Sequence, residues 1–226
     1  MIVDQLAQEC NVRGASTDLA IKAHDQHKKT TTIPPEYQHF ASVFSDEESQ
    51  HFPPSRPWDH AIELKPDAPS HLRCKVYPMT REEDKALNQF INDQLLKGYI
   101  EPSKSPYAFP FFFVKKKDGK LRLVQDYCVL NAWTVKNQYP LLLIPVLIRD
   151  LGGAYVYSKL DVRWGYNNIR IKEGDEWKAA FKTRRGLHQP KVMFFGMSNS
   201  PPTFQGFMDD IYYDTIMKHE ALGTFI

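Results

Sequence analysis

Phe111-Phe112-Phe113-Val114-Lys115-Lys116-Lys117-Asp118-Gly119-Lys120-Leu121-Arg122-Leu123-Val124 is an apolar run, a charged turn and a second apolar run. Aromatic and β-branched residues suit a pleated, half-buried surface. Asp-Gly is the dipeptide of a tight hairpin turn. The spacing predicts a β-hairpin over 108–127. Residues 113–122 carry five basic side chains against Asp118, net +4. Lysines on an exposed ribbon are also a common guard against edge-to-edge aggregation, so the hairpin alone speaks for fold, not function.

Upstream of it, the sequence predicts a helix over 81–97. Thr80 and Glu83 form a capping box. Leu87, Phe90, Ile91, Leu95 and the neighbouring Leu96 make an apolar stripe, and Gly98 stands where a helix stops. Downstream, 155–161 reads as a strand, 163–168 as a turn, and 168–172, 178–183 and 191–195 as further strands. A last helix starts near Pro201-Pro202, with Phe204, Phe207, Met208, Ile211 and Tyr212 at i, i+3, i+4, i+7 and i+8. Helices and strands mix without βαβ alternation, so the expected class is α+β.

The N-terminal third differs. Residues 1–33 are polar and read as a linker tail. A short helix over 36–47 would place Tyr37, Phe40, Ala41 and Phe44 on one face. Pro53, Pro54, Pro57, Pro66 and Pro69 then punctuate an extended stretch with a short strand at 61–64.

Composition excludes some classes. The chain has 226 residues, 42% hydrophobic and 25% charged, ordinary for a soluble globular protein. No run of about 18 apolar residues occurs, and the first residues hold no long apolar stretch, so the expectation is an intracellular protein without a membrane span. Cys10, Cys74 and Cys128 lack metal-ligand spacing and read as reduced thiols. His24 and His27 have no third ligand nearby and read as a solvated pair. No Asp-Thr/Ser-Gly triplet is present, which excludes an aspartic protease. Net charge is only +2, but it is unevenly spread. Residues 36–67 hold seven acidic and two basic side chains, net −5, and 163–191 hold eight basic and three acidic, net +5. A basic second half suits a polyanionic partner.

Two further segments carry chemistry. Tyr157-Ser158-Lys159-Leu160-Asp161-Val162 ends an apolar run with a carboxylate. By itself such an Asp is usually a turn cap, but it can also hold Mg²⁺, which prefers oxygen ligands. Phe194-Phe195-Gly196-Met197-Ser198-Asn199-Ser200-Pro201 leads through a glycine and small polar residues into a helix start, a turn that lets backbone approach a ligand.

Taken together, in this order and spacing, the segments resemble the reverse transcriptase of gypsy-type LTR retrotransposon Pol polyproteins. The matching residues are Lys97-Gly98-Tyr99-Ile100, Pro102-Ser103, Ser105-Pro106, Phe111 to Gly119, Asp126-Tyr127 with Leu130-Asn131, Lys159-Leu160-Asp161, Gly165-Tyr166, Ile169 to Lys178 and the Phe-Gly segment. Residues 53–60 resemble the connector that precedes that enzyme. The resemblance runs from about 33 to 216.

It implies a right-hand polymerase: a connector over 34–75, then fingers and an incomplete palm over 76–226, with an antiparallel sheet and packed helices. Asp161 would be the catalytic metal ligand, assisted by the Val162 carbonyl. Lys116 and Arg122 would contact the incoming triphosphate, Tyr166 would exclude a ribose 2′-OH, and Phe195 and Gly196 would belong to the nucleotide pocket. Lys115, Lys117 and Lys120 would meet nucleic acid. The intact parent would use two Mg²⁺ ions, or Mn²⁺, and take dNTP and an RNA or DNA template-primer.

The sequence departs from the pattern at Cys128 (usually Arg), Gln125 (usually Val), Trp164 (usually small) and the polar His188-Gln189-Pro190-Lys191, which suggests a decaying copy. The family's YxDD turn is missing before Ile226. Asp209-Asp210 is no substitute, because adjacent helix residues point about 100° apart. The expectation is a truncated chain, inactive alone. The rival reading is a non-catalytic retroelement remnant that at most binds nucleic acid.

Overall fold

The computed structural model describes residues 33, 35–45, 47–115, 121–141, 144–150, 152 and 162–218. The chain divides into two units, residues 1–48 and 49–226. In the first, the helix expected over 36–47 is a 3₁₀ helix, Pro35–Phe44, kinked at Phe40. None of its residues is buried, so its apolar face gains no packing in that unit.

The second unit holds seven described strands: β1 (Leu72–Arg73), β2 (Ile100–Pro102), β3 (Tyr107–Ala108), β4 (Phe111–Lys115), β5 (Leu121–Gln125), β6 (Phe181–Thr183) and β7 (Gly186–Pro190). Its described α-helices are α1 (Arg81–Leu96), α2 (Cys128–Trp133), α3 (Ile144–Asp150) and α4 (Ser200–Lys218). β4 and β5 are the antiparallel hairpin, with Phe111 opposite Gln125 and Lys115 opposite Leu121. β2, β7 and β6 make an antiparallel sheet in that order, and β1 pairs with β3 in parallel. Helices packed on mainly antiparallel strands make this an α+β fold, as expected.

α1 begins and ends as its sequence dictates. Glu83 N donates to Thr80 Oγ1 at 3.3 Å and Thr80 N donates to Glu83 Oε2 at 2.8 Å. Gly98 leaves the helix at φ 70°, a left-handed value that glycine adopts without strain. Leu87 and Ile91 face inward. Leu96 does not: it is 86% exposed, about 100° around the axis from Leu95.

Three apolar clusters share walls. Phe109 joins Tyr107, Tyr127, Leu130 and Ile171 in one. Phe111 joins Ile91, Phe181, Val192 and Phe194 in another. Ile169 and Met193 join Phe204, Phe207 and Met208 of α4 in the third. Extended backbone sends neighbours to opposite sides, so Val192 and Phe194 face one core while Met193 faces another.

The proline-rich lead-in is tied down residue by residue. His60 N donates to Arg170 O at 2.8 Å, and Lys172 N donates to His60 O at 2.9 Å. Ile62 N donates to Asp175 Oδ2 and Lys178 Nζ to Ile62 O, both at 2.7 Å. Val135 N donates to Glu63 O on the other side. The strand expected over 61–64 is therefore two isolated bridges, His60 with Ile171 and Leu64 with Thr134. Pro57 and Pro66 bracket the segment and lack the donors that a longer ladder needs.

Other expectations shift. The strand expected over 155–161 lies outside the described residues. Residues 168–172 make only bridges, at Arg170 and Ile171. The stretch 178–183 is a 3₁₀ turn, Glu176–Ala179, followed by β6. The strand expected over 191–195 comes earlier, as β7, and only Val192 bridges beyond it. The polar letters hide that strand because its side chains are packed or bonded by distant residues. His188 stacks on Phe181 at 5.8 Å, and Gln189 bonds Ser103 and Glu101. In α4 Ile211 is half exposed, while Phe204, Phe207 and Met208 are buried as the stripe predicts. α2 and α3 are additional to the sequence reading.

Two predictions follow from the packing. Gln125 is buried and its Nε2 has no hydrogen-bond partner among the described residues. A buried unpaired donor costs about 1–3 kcal/mol. Gln125→Met keeps the shape without the amide and should raise the urea-unfolding free energy by about 1–2 kcal/mol. Destabilisation would show that the amide is bonded after all.

His60 is buried, with Nδ1 at 3.0 Å from Thr203 Oγ1, and burial lowers its pKa from 6.5 to about 4 despite the nearby Asp175. The folded state thus resists a proton that the unfolded state accepts. Stability should be full above pH 6.5 and fall as the pH drops toward 4. The loss from His60 is about 3 kcal/mol. His188, lowered by burial and by Arg185, adds to the same slope. His60→Asn should flatten most of it in urea midpoints measured across that range.

Candidate functional site

β5 carries Arg122 outward, opposite Val114 on β4. The chain then passes through Asp126 and Tyr127 into α2. Tyr127 is fully buried, its hydroxyl donates to Ala179 O at 3.0 Å, and burial pushes its pKa far above the usual phenol range. It serves as a pillar, not as an acid. Asp126 caps α2 by accepting from Cys128 N at 3.1 Å, and Tyr77 Oη donates to it at 2.9 Å. Cys128 itself is exposed.

At the far end of α2, Asn131 reaches across to the Phe-Gly turn. Its Nδ2 donates to Gly196 O at 2.7 Å, and Ser198 N donates to its Oδ1 at 2.8 Å. Gly196 has φ 104°, and a Cβ there would lie 3.0 Å from Gln125 O and 3.4 Å from the Tyr127 ring. Only glycine lets this turn sit against the end of β5.

The pinned turn pushes Phe195 outward. Its ring lies 4.8 Å from Tyr166, and the Arg122 guanidinium sits 5.2 Å over its centroid. Tyr166 meets Phe204 edge-on at 5.4 Å. Gly165 permits this, since a Cβ there would come within 3.0 Å of the Phe204 ring. Half-burial raises the Tyr166 pKa, so its hydroxyl stays protonated at neutral pH. The loop before it is held by Asn167 N donating to Trp164 O at 2.7 Å and Asn168 Nδ2 to Arg163 O at 3.0 Å. Trp164 pays for a bulky residue at this position with φ 52°, in the left-handed region.

Of the residues singled out in the sequence, Arg122, Tyr166, Phe195 and Gly196 come together. Val162 is exposed. Asp161, Lys116, Lys117 and Lys120 lie outside the described residues. Lys115 pairs with Leu121 through its backbone, and its side chain is outside them too. Among the described residues no three His, Cys, Asp or Glu side chains stand together to hold a metal. Sequence reasoning missed the Asn131 clamp, although Leu130-Asn131 was part of the motif, and missed Phe204 as the brace of Tyr166.

The resulting surface has an exposed cation, an aromatic ledge and a glycine turn with accessible backbone, a set that suits a ligand with both phosphate and a flat ring. Residues 114–224 match the reverse transcriptase (RNA-dependent DNA polymerase) family. The Transposon Tf2-3 and Tf2-4 polyproteins of Schizosaccharomyces pombe are each 34% identical over 192 residues, covering 84% of this chain. The chain spans 14% of the length of those relatives. In fold it is similar to the foamy viral protease-reverse transcriptase solved in complex with RNA/DNA hybrid, with a TM-score of 0.65 and 19% identity over 88% of this chain and 27% of that one. The chain contains a reverse transcriptase domain of the kind found in retrotransposon polyproteins.

Proposed function

We propose that this chain forms the incoming-nucleotide face of an RNA-directed DNA polymerase from a gypsy-type LTR retrotransposon. The whole protein would transfer a nucleotide from a dNTP to a primer 3′-OH on an RNA or DNA template. The observation that carries the reading is the stack of Arg122, Phe195, Tyr166 and Phe204. A guanidinium fork recognises phosphate oxygens. Resting on Phe195, it is held rather than free to wander. Tyr166, braced on two sides, is a stiff wall on which a deoxyribose fits and a ribose 2′-OH collides.

The remaining roles extend from this stack. Lys116 joins Arg122 at the triphosphate, and Lys115, Lys117 and Lys120 follow the template backbone. The Asp161 carboxylate and the Val162 carbonyl are the hard oxygen donors that Mg²⁺ takes. When bound, the ion would neutralise charge on the triphosphate. The matching division of the chain is a connector over 34–75 and fingers with part of a palm over 76–226.

A fluorescent dNTP titrated into the 226-residue protein tests the stack. Arg122→Ala should weaken binding about ten-fold with the melting temperature unchanged, because that side chain is exposed. Tyr166→Ala should bring dNTP and rNTP affinities close together. A folded wild-type chain with no dNTP affinity would reject the proposal. Catalysis is a separate matter: two metals need more carboxylates than Asp161 supplies. Primer extension on poly(rA) with Mg²⁺ by these residues alone should give no product, and clear incorporation would overturn that expectation.

A further inference from the structure

α4 has two faces with opposite duties. Phe204, Phe207 and Met208 are buried in the third core. Gly206, Asp209, Asp210 and Tyr213 recur at helical spacing on another face and line a cleft of about 650 Å³. Its other walls come from the lead-in at Trp58 to Glu63 and from residues 135–139. None of Arg122, Tyr166 and Phe195 lines it. The volume is in the range of built ligand pockets.

The charge of the cleft is one-sided. Asp59, Glu63, Asp209 and Asp210 face it against Lys136. Lys136 Nζ is itself engaged, donating to Asn131 O at 2.8 Å. Two of the carboxylates are structural. Asp209 accepts from Tyr139 Oη and from Gln205 Nε2, both at 2.7 Å. Asp59 accepts from Ser55 Oγ at 2.6 Å and from Arg56 N at 3.1 Å. Gly206 leaves the room that Tyr139 needs, since a Cβ there would already touch its ring at 3.4 Å. Glu63 and Asp210 are different: among the described residues neither carboxylate has a hydrogen-bond or ion-pair partner. Both are exposed acceptors on a cleft that Trp58, Tyr139 and Tyr213 also line.

Open carboxylates beside aromatic faces select a planar cation. Arg binds a carboxylate through paired donors and lies flat on an aromatic ring. A nucleic-acid backbone would meet like charge here. We propose that this cleft binds an arginine-bearing peptide segment of a partner protein, with a guanidinium held by Glu63 and Asp210 against Tyr213. The inference is independent of the nucleotide reading. Asp210, one of the two carboxylates rejected in the sequence as a catalytic pair, gains a different task on the helix that braces Tyr166.

The test is fluorescence anisotropy of a labelled hexa-arginine peptide with the full 226-residue chain. The double variant Glu63→Gln/Asp210→Asn should bind about ten-fold more weakly. The charge-matched pair Glu82→Gln/Asp93→Asn, on exposed positions of α1, should stay within about two-fold. Tyr213→Ala should weaken binding and Tyr213→Phe should retain it. Tyr213 is 58% exposed, so these variants fold, and urea midpoints verify it. An unchanged affinity in the cleft pair, or an equal loss in the control pair, overturns the proposal. So does a labelled oligouridylate whose binding, in place of the peptide's, is lost when the cleft is neutralised.

Discussion

The amide of Asn131 is the joint on which the candidate site depends. It gives its N–H to one side of the Phe-Gly turn and takes an N–H from the other, at 2.7 and 2.8 Å. A turn pinned at both ends cannot rotate, so Phe195 has one direction left, outward, and Arg122 and Tyr166 gather on its ring. The anchor of Asn131 is α2, and α2 is held by the buried Tyr127 and Leu130. Order thus passes from the first core, through one polar side chain, to an exposed aromatic ledge. An exposed phenylalanine would otherwise be a poor platform, because nothing but packing fixes its rotamer.

The parts of the fold that could be read in the sequence are those governed by local chemistry. The α1 boundaries follow from Thr80, Glu83 and Gly98, all within a turn of the ends they define. The hairpin follows from two runs of strand-forming residues around Asp-Gly. What could not be read depends on distant partners. β7 looks too polar to be a strand until Phe181 is in place to stack on His188, and Ser103 and Glu101 to bond Gln189. The lead-in looks like a strand but is ordered by Asp175 and Lys178, more than a hundred residues further on.

The site shows the same divide. Arg122, Tyr166, Phe195 and Gly196 were marked by a family pattern, which names positions without giving distances. That Arg122, Phe195 and Tyr166 share one stack depends on Gly165 and Gly196, where a single Cβ would strike Phe204 or Gln125. Trp164 illustrates the cost of departing from the pattern. A small residue would tolerate the left-handed turn more easily, and the indole is left 56% exposed with Lys97 Nζ at 5.3 Å from its ring.

α4 joins these themes. The helix is fixed on the side that braces Tyr166, where Phe204, Phe207 and Met208 are buried. The side that holds Asp209 and Asp210 answers to no such demand, and yet Asp209 is bonded twice and Tyr139 is fixed over Gly206. Side chains on a merely solvated helix face seldom hold such a geometry, because ordering them costs rotamer entropy with little return. The order on that face, together with two carboxylates left unpaired beside it, is what separates a built cleft from an acidic surface.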